Sequence, residues 1–147
     1  MTIADIKKIL LDAASATGEY KLAKDTYEEY KKLISFPKAV SYESIGSKGS
    51  KHNVTDDNNA KLSEYREDME ECKVKMDRAR NNAERLIRLV PAQEQRDVLT
   101  RKYINCQNWD EVAESTGYCY RHVTRLHGYA LQYLSQHVLE CPTISVI

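Results

Sequence analysis

Three prolines and five glycines are few for a chain of 147 residues. So little punctuation favours a helix-rich chain. A surplus of charge is missing as well, because 22 lysines and arginines are balanced by 22 aspartates and glutamates. That balance excludes a protein that coats DNA or RNA nonspecifically and leaves room only for a local basic surface. Long apolar runs are also absent. Near the N-terminus, Ile9, Leu10 and Leu11 lie between Lys8 and Asp12, too short a run for a signal peptide or a membrane span. A soluble, cytoplasmic protein is therefore expected, with no membrane partner. Cys72, Cys106, Cys119 and Cys141 include no CxxC pair, which fits reduced thiols rather than a disulfide framework. Asn53-Val54-Thr55 matches a glycosylation acceptor but has no secretory signal to give it meaning. With no nucleophile elbow, paired carboxylate frame or HExxH, an enzyme is not expected.

What is present is helical periodicity. Across 3–34, Ile6, Ile9, Ala13, Ala16, Tyr20, Ala23, Tyr27, Tyr30 and Ile34 recur in steps of three and four, a heptad seam. Thr2 and Asp5 can form a capping box at its start, and Gly18 marks a place where the helix can bend. Phe36-Pro37 ends it, since the residue before proline is pushed out of the α region. Residues 36–59 lack sustained periodicity and read as a long flexible loop. The GSKGSK within it has the residues of a phosphate loop but not the spacing. From 60 to 90 a second seam follows: Leu62, Tyr65, Met69, Cys72, Met76, Ala79, Ala83, Leu86 and Val90. Folded back on the first, it places Ile34 by Leu62, Tyr27 by Met69, Ala16 by Ala79 and Ile6 by Val90. The expected fold is all-α, a long antiparallel helical hairpin over 1–90 with intermolecular coiled-coil pairing as the competitor. A C-terminal head over 91–139 and a tail over 140–147 complete the chain.

In the head, Pro91 breaks the long helix and is placed to be the first residue of the next. Residues 92–104 carry Val98, Leu99, Tyr103 and Ile104 on one face, and 105–107 make a connecting turn. Asn108 and Glu111 then form a second capping box, opening a short helix with Trp109, Val112 and Ala113 on its apolar face. Gly117 stands where the chain must turn sharply. A last helix buries Val123, Leu126, Ala130 and Leu134 and turns Arg121, Arg125, Gly128 and Gln132 outward. No acidic residue occurs between Glu114 and Glu140. A helix-turn-helix whose second helix is positive and unneutralised has the pattern of a DNA reader.

The run LVPAQEQRDVLTRKYINCQNWDEVAESTGYCYRHVTRLHGYALQYL resembles the fourth conserved region of bacterial RNA polymerase sigma factors. The matching positions are Pro91, Trp109, Glu111, Val112, Gly117, Val123, Leu126, Ala130 and Leu131. With its helical hairpin, the whole chain is similar to the small sigma-like regulators of phages of Gram-positive bacteria, the ArpU-like and RinA-like late-gene activators. It departs from sigma factors in having Cys119 where threonine or serine commonly opens the recognition helix, Tyr120 where arginine is usual, and no counterpart of the promoter-melting region.

The resemblance implies a sequence-specific regulator of phage or prophage genes that binds duplex DNA in the cytoplasm of a bacterial host. RNA polymerase and a second copy of the chain are further expected partners. It places base reading on Tyr120, Arg121 and Arg125, and phosphate or groove-edge contacts on His122 and Thr124. A guanidinium can bond guanine O6 and N7 together, which suits both arginines. Cys119, His122, Cys106 and His127 fit no metal-ligand spacing, so no metal or other cofactor is expected. Trp109, in the apolar set with Val112, reads as a core anchor. Two other functions remain open: a small terminase subunit, and an anti-repressor or inhibitor that binds protein and not DNA. Zero net charge and the acidic Asp110, Glu111 and Glu114 beside the motif favour the latter.

Overall fold

A computed structural model describes residues 1–36 and 54–138. The described residues are helical with no strand: α1 Ile3–Ser35, α2 Val54–Arg88, α3 Gln93–Leu99 continuing into a π-helical turn Thr100–Ile104, α4 Trp109–Thr116 and α5 Tyr120–His137. No helix among them is long and apolar enough to cross a membrane. The GSKGSK stretch, Asn53 and the tail lie outside the described residues.

Thr2 caps α1 with Asp5, the Asp5 N–H donating to Thr2 Oγ1 at 3.2 Å and the Thr2 N–H to Asp5 Oδ2 at 2.9 Å. These bonds, with the Thr2 hydroxyl also donating, hold the Asp5 carboxyl below its ordinary range. The seam lies inward as its spacing predicts, with Ile6, Ala13 and Ala16 buried and Tyr20, Ala23, Tyr27, Tyr30 and Ile34 half-buried. Two details differ. Leu10, not Ile9, is fully buried, because this end of α1 packs against the head as well as against α2, which rotates its buried face. At Gly18 the helix runs through without a break, since i→i+4 bonding on both sides outweighs the ~1 kcal/mol that glycine costs there.

α2 returns antiparallel along α1. The Tyr30 and Tyr65 rings meet edge to face at 5.2 Å, and the Tyr30 hydroxyl donates to Asn58 Oδ1 at 3.2 Å. The helix starts earlier than its periodicity indicates, so 54–59 are helical and not loop. Asp56 and Asp57 in its first turn suit the positive end of the helix dipole, a signal that apolar spacing does not register.

Pro91 does not begin the next helix. Val90 still closes a turn onto the Ile87 carbonyl at 3.1 Å, Pro91 lies in the break, and Ala92 caps α3. Arg96 reaches back to secure the corner, Nη1 donating to the Val90 carbonyl at 2.6 Å and to that of Pro91 at 3.0 Å. Helix 92–104 is likewise not uniform: its last turn widens, the Asn105 N–H bonding the Thr100 carbonyl at 3.0 Å.

The core spans hairpin and head. Ile6, Leu10 and Ala13 of α1 and Ala83, Leu86, Ile87 and Val90 at the end of α2 form one cluster with Leu99, Tyr103, Ile104, Ala130, Leu131, Leu134 and Val138. A smaller cluster, Val98, Val112, Val123 and Leu126, holds α3, α4 and α5 to one another. Adjacent residues Val98 and Leu99 therefore serve different clusters.

Candidate nucleic-acid interface

α4 and α5 are set by their ends. The Glu111 N–H donates to Asn108 Oδ1 at 2.8 Å and the Asn108 N–H to Glu111 Oε2 at 2.7 Å, completing the capping box. At the other end of α4, Gly117 takes φ 72°, the left-handed conformation that costs a side chain most. This directs its N–H to the Glu114 carbonyl at 3.3 Å and that of Tyr118 to the Ala113 carbonyl at 3.2 Å, the paired bonds of a Schellman ending. Cys119 is the N-cap of α5 and makes no side-chain cap bond. Its carbonyl accepts from the His122 and Val123 N–H groups at 2.9 and 3.1 Å.

From this start α5 buries Val123, Leu126, Ala130, Leu131 and Leu134. Tyr120, Arg121, Arg125, Gly128 and Gln132 are exposed, and His122 and Thr124 are half-buried at the edge of that face. The five residues expected to touch DNA thus lie on the first two turns. Among the described residues neither arginine has a carboxylate partner. Arg125 Nη2 donates to His122 Nδ1 at 2.8 Å, which makes Nδ1 the acceptor and leaves Nε2 as the ring's donor. The His122 ring is also backed edge-on by Tyr118 at 4.8 Å. Thr124 is engaged locally, its hydroxyl bonding the Tyr120 and Arg121 carbonyls at 3.1 and 3.0 Å, so in the free chain its proton faces the helix backbone. Gly117, Tyr118, Cys119, Arg121, His122 and Arg125 line a shallow pocket of about 320 Å³ at the start of α5.

A second group of residues, drawn together from three elements, supports this helix from behind. His127 Nε2 is 2.9 Å from the Tyr103 hydroxyl, and the Trp109 ring meets the imidazole edge-on at 4.9 Å. Lys102 Nζ sits 4.8 Å above the Trp109 ring and donates to the Gln107 carbonyl at 3.3 Å. Burial, and then the positive charges of Lys7 and Lys102, push the His127 pKa down to about 4. Trp109 packs with Val112 and His127, as a core anchor does. Tyr118 has its phenol raised chiefly by the nearby Glu94 carboxylate, to which it also bonds. Helical spacing placed Tyr103 and Trp109 on apolar faces but gave no sign that both meet His127.

The arrangement offers two guanidinium forks, a phenol and an imidazole N–H on one convex helix face, all donors suited to base edges and phosphates. The chain matches no protein-family model, no curated protein and no solved structure.

Proposed function

We propose that this chain is a transcription regulator of phage or prophage genes that binds duplex DNA by laying the first two turns of α5 in the major groove. α4, the turn Gly117 to Cys119 and α5 act as its helix-turn-helix. Arg121 and Arg125 read base edges with Tyr120, and His122 and Thr124 hold phosphate oxygens or the groove edge. The observation that carries this reading is the pair of exposed arginines one turn apart on the face of α5 opposite its buried row, with no carboxylate partner among the described residues. RNA polymerase is a further partner on the same reading, by the likeness to sigma region 4.

Fluorescence anisotropy with duplex fragments selected from the encoding genome tests it. Affinity should fall steeply with salt, as expected when phosphates release counterions. Replacing Arg121 and Arg125 with alanine together should abolish sequence-specific binding and leave helicity unchanged. A wild-type chain with no salt-dependent binding to any selected duplex refutes the reading. The protein-binding alternative is supported by Asp110, Glu111 and Glu114, exposed on α4, the first helix of the motif, and it predicts that outcome.

A further inference from the structure

The outer surface of α1 carries Leu11, Leu22 and Leu33, exposed by 55, 69 and 70%, with Leu22 at the rim of a groove that α1 shares with Tyr65 and Cys72 of α2. At 100° per residue an eleven-residue step returns to within ~20° of the same line, so the three form a straight row spaced ~16 Å apart. Among the described residues nothing covers these leucines, and their spacing suits a second copy of the helix. Leu22 is equidistant from the other two, so the row reads the same in both directions. An antiparallel copy of α1 therefore sets Leu22 against Leu22 on a two-fold axis and Leu11 against Leu33 at both ends.

The residues between the leucines agree with that pairing. Ser15, Gly18 and Thr26 fall on the line, and a side chain added at Gly18 meets nothing within 4 Å. These small residues let two backbones approach closely. Glu29, the acid on the line between Leu11 and Leu33, falls opposite Ser15, whose hydroxyl can donate to it. Lys21 and Asp25 lie on one flank, and a two-fold axis brings the same flanks together, so Lys21 of each copy faces Asp25 of the other. We infer that the outward face of α1 is a self-complementary interface, and that the chain pairs with a second copy through antiparallel α1 helices centred on Leu22.

The strip is ~33 Å long and one helix wide, at the lower end of specific interfaces, so the dimer should be concentration-dependent. On the DNA-binding reading proposed above, the pairing also has a geometric consequence. Each head is anchored on α1 through Ile6, Leu10 and Ala13. The two Leu10 positions would stand ~36 Å apart along the helix axis, about one turn of duplex DNA.

Sedimentation equilibrium without DNA, from micromolar to near-millimolar protein, tests the pairing independently of DNA binding. The wild type should dimerise, and Leu22→Glu, a change at an exposed position, should weaken the dimer at least ~30-fold with unchanged circular dichroism. Register is read by oxidative cross-linking in a chain whose native cysteines are replaced. Leu22→Cys should link to itself, and Leu11→Cys should link to Leu33→Cys in a mixture but not to itself. A wild type that stays monomeric, a dimer indifferent to Leu22→Glu, or efficient self-linking of Leu11→Cys each overturns the inference.

Discussion

Acidification should destabilise this fold through His127, well above the range in which carboxylates protonate. In the folded chain the imidazole takes up its proton only near pH 4, against an ordinary value of 6.5. Between those values the unfolded chain binds a proton that the folded chain refuses. Stability is therefore complete above pH 6.5, falls as the pH drops through this window, and levels off below about 4 as far as His127 is concerned. The full gap is worth ~3 kcal/mol at ~1.4 kcal/mol per pH unit, and solvent reaching part of the ring reduces this to ~2 kcal/mol. Against a small domain's total stability of ~5–15 kcal/mol, such a loss is large.

Urea denaturation at a series of pH values from 7.5 to 4.5 measures the effect, with His127→Gln as the control. Glutamine retains an acceptor for the Tyr103 hydroxyl and does not titrate. The variant should be less stable than the wild type at neutral pH, because it loses the ring packing on Trp109, yet its stability should vary much less between pH 6.5 and 4.5. Lys7→Gln should move the His127 midpoint upward, by removing a positive charge from its surroundings. Parallel pH slopes for the wild type and His127→Gln, or an NMR titration of the His127 ring centred near 6.5, would refute the reasoning.

Three further substitutions test the ends and interiors of the head helices. Asn108→Ala removes the side-chain acceptor of the Glu111 N–H, while the bond from the backbone N–H of residue 108 to Glu111 remains, and should cost ~1 kcal/mol in urea denaturation at neutral pH. Gly117→Ala should cost ~1–2 kcal/mol, because its left-handed φ opposes any side chain, whereas Gly128→Ala should stabilise by ~1 kcal/mol, since a side chain there meets nothing and the position is helical. Equal effects of the two alanines on the melting temperature would contradict that account.

Where one face of a helix meets one partner, the sequence shows it plainly. The rows from Ile6 to Ile34 and from Leu62 to Val90 alternate in threes and fours because a single seam joins them, and the Tyr30–Tyr65 contact follows that register. Legibility fails where a helix meets two partners. Leu10 is buried by the head as well as by α2, and Val98 and Leu99 divide between two clusters. The widened turn Thr100–Ile104 is of the same kind: an extra residue in the turn lets Tyr103 and Ile104, adjacent in sequence, both enter the larger cluster with Leu99. The turn at 105–107 was legible, but not that Cys106, a residue with no such preference, takes the left-handed conformation there with φ 55°. On α5 the outward row was legible because the sequence lacks acids there. The Arg125–His122 bond and the Lys102–Trp109–His127 stack were not, since each depends on side-chain directions or on the meeting of separate elements.

The shared core also determines how the hairpin bears on α5. Ala130, Leu131 and Leu134 are buried in the same cluster as Ile6, Leu10 and Ala13, and His127, one turn earlier on α5, feels the charge of Lys7 on α1. α5 is therefore backed by α1 over its C-terminal half and by α3 and α4, through Val123 and Leu126, over its first two turns, where the arginines face outward. A shift of α1 must either tilt α5 or open this cluster, and close-packed interiors resist the second. With no net charge to supply affinity, DNA binding by one such head would rest on a few contacts from Tyr120 to Arg125. Joining two heads rigidly raises the effective concentration of the second contact once the first is made, which multiplies weak contacts without adding charge. On the proposed DNA-binding reading and the proposed pairing, the hairpin would set the spacing of two such faces, and the leucine row of α1 would fix it.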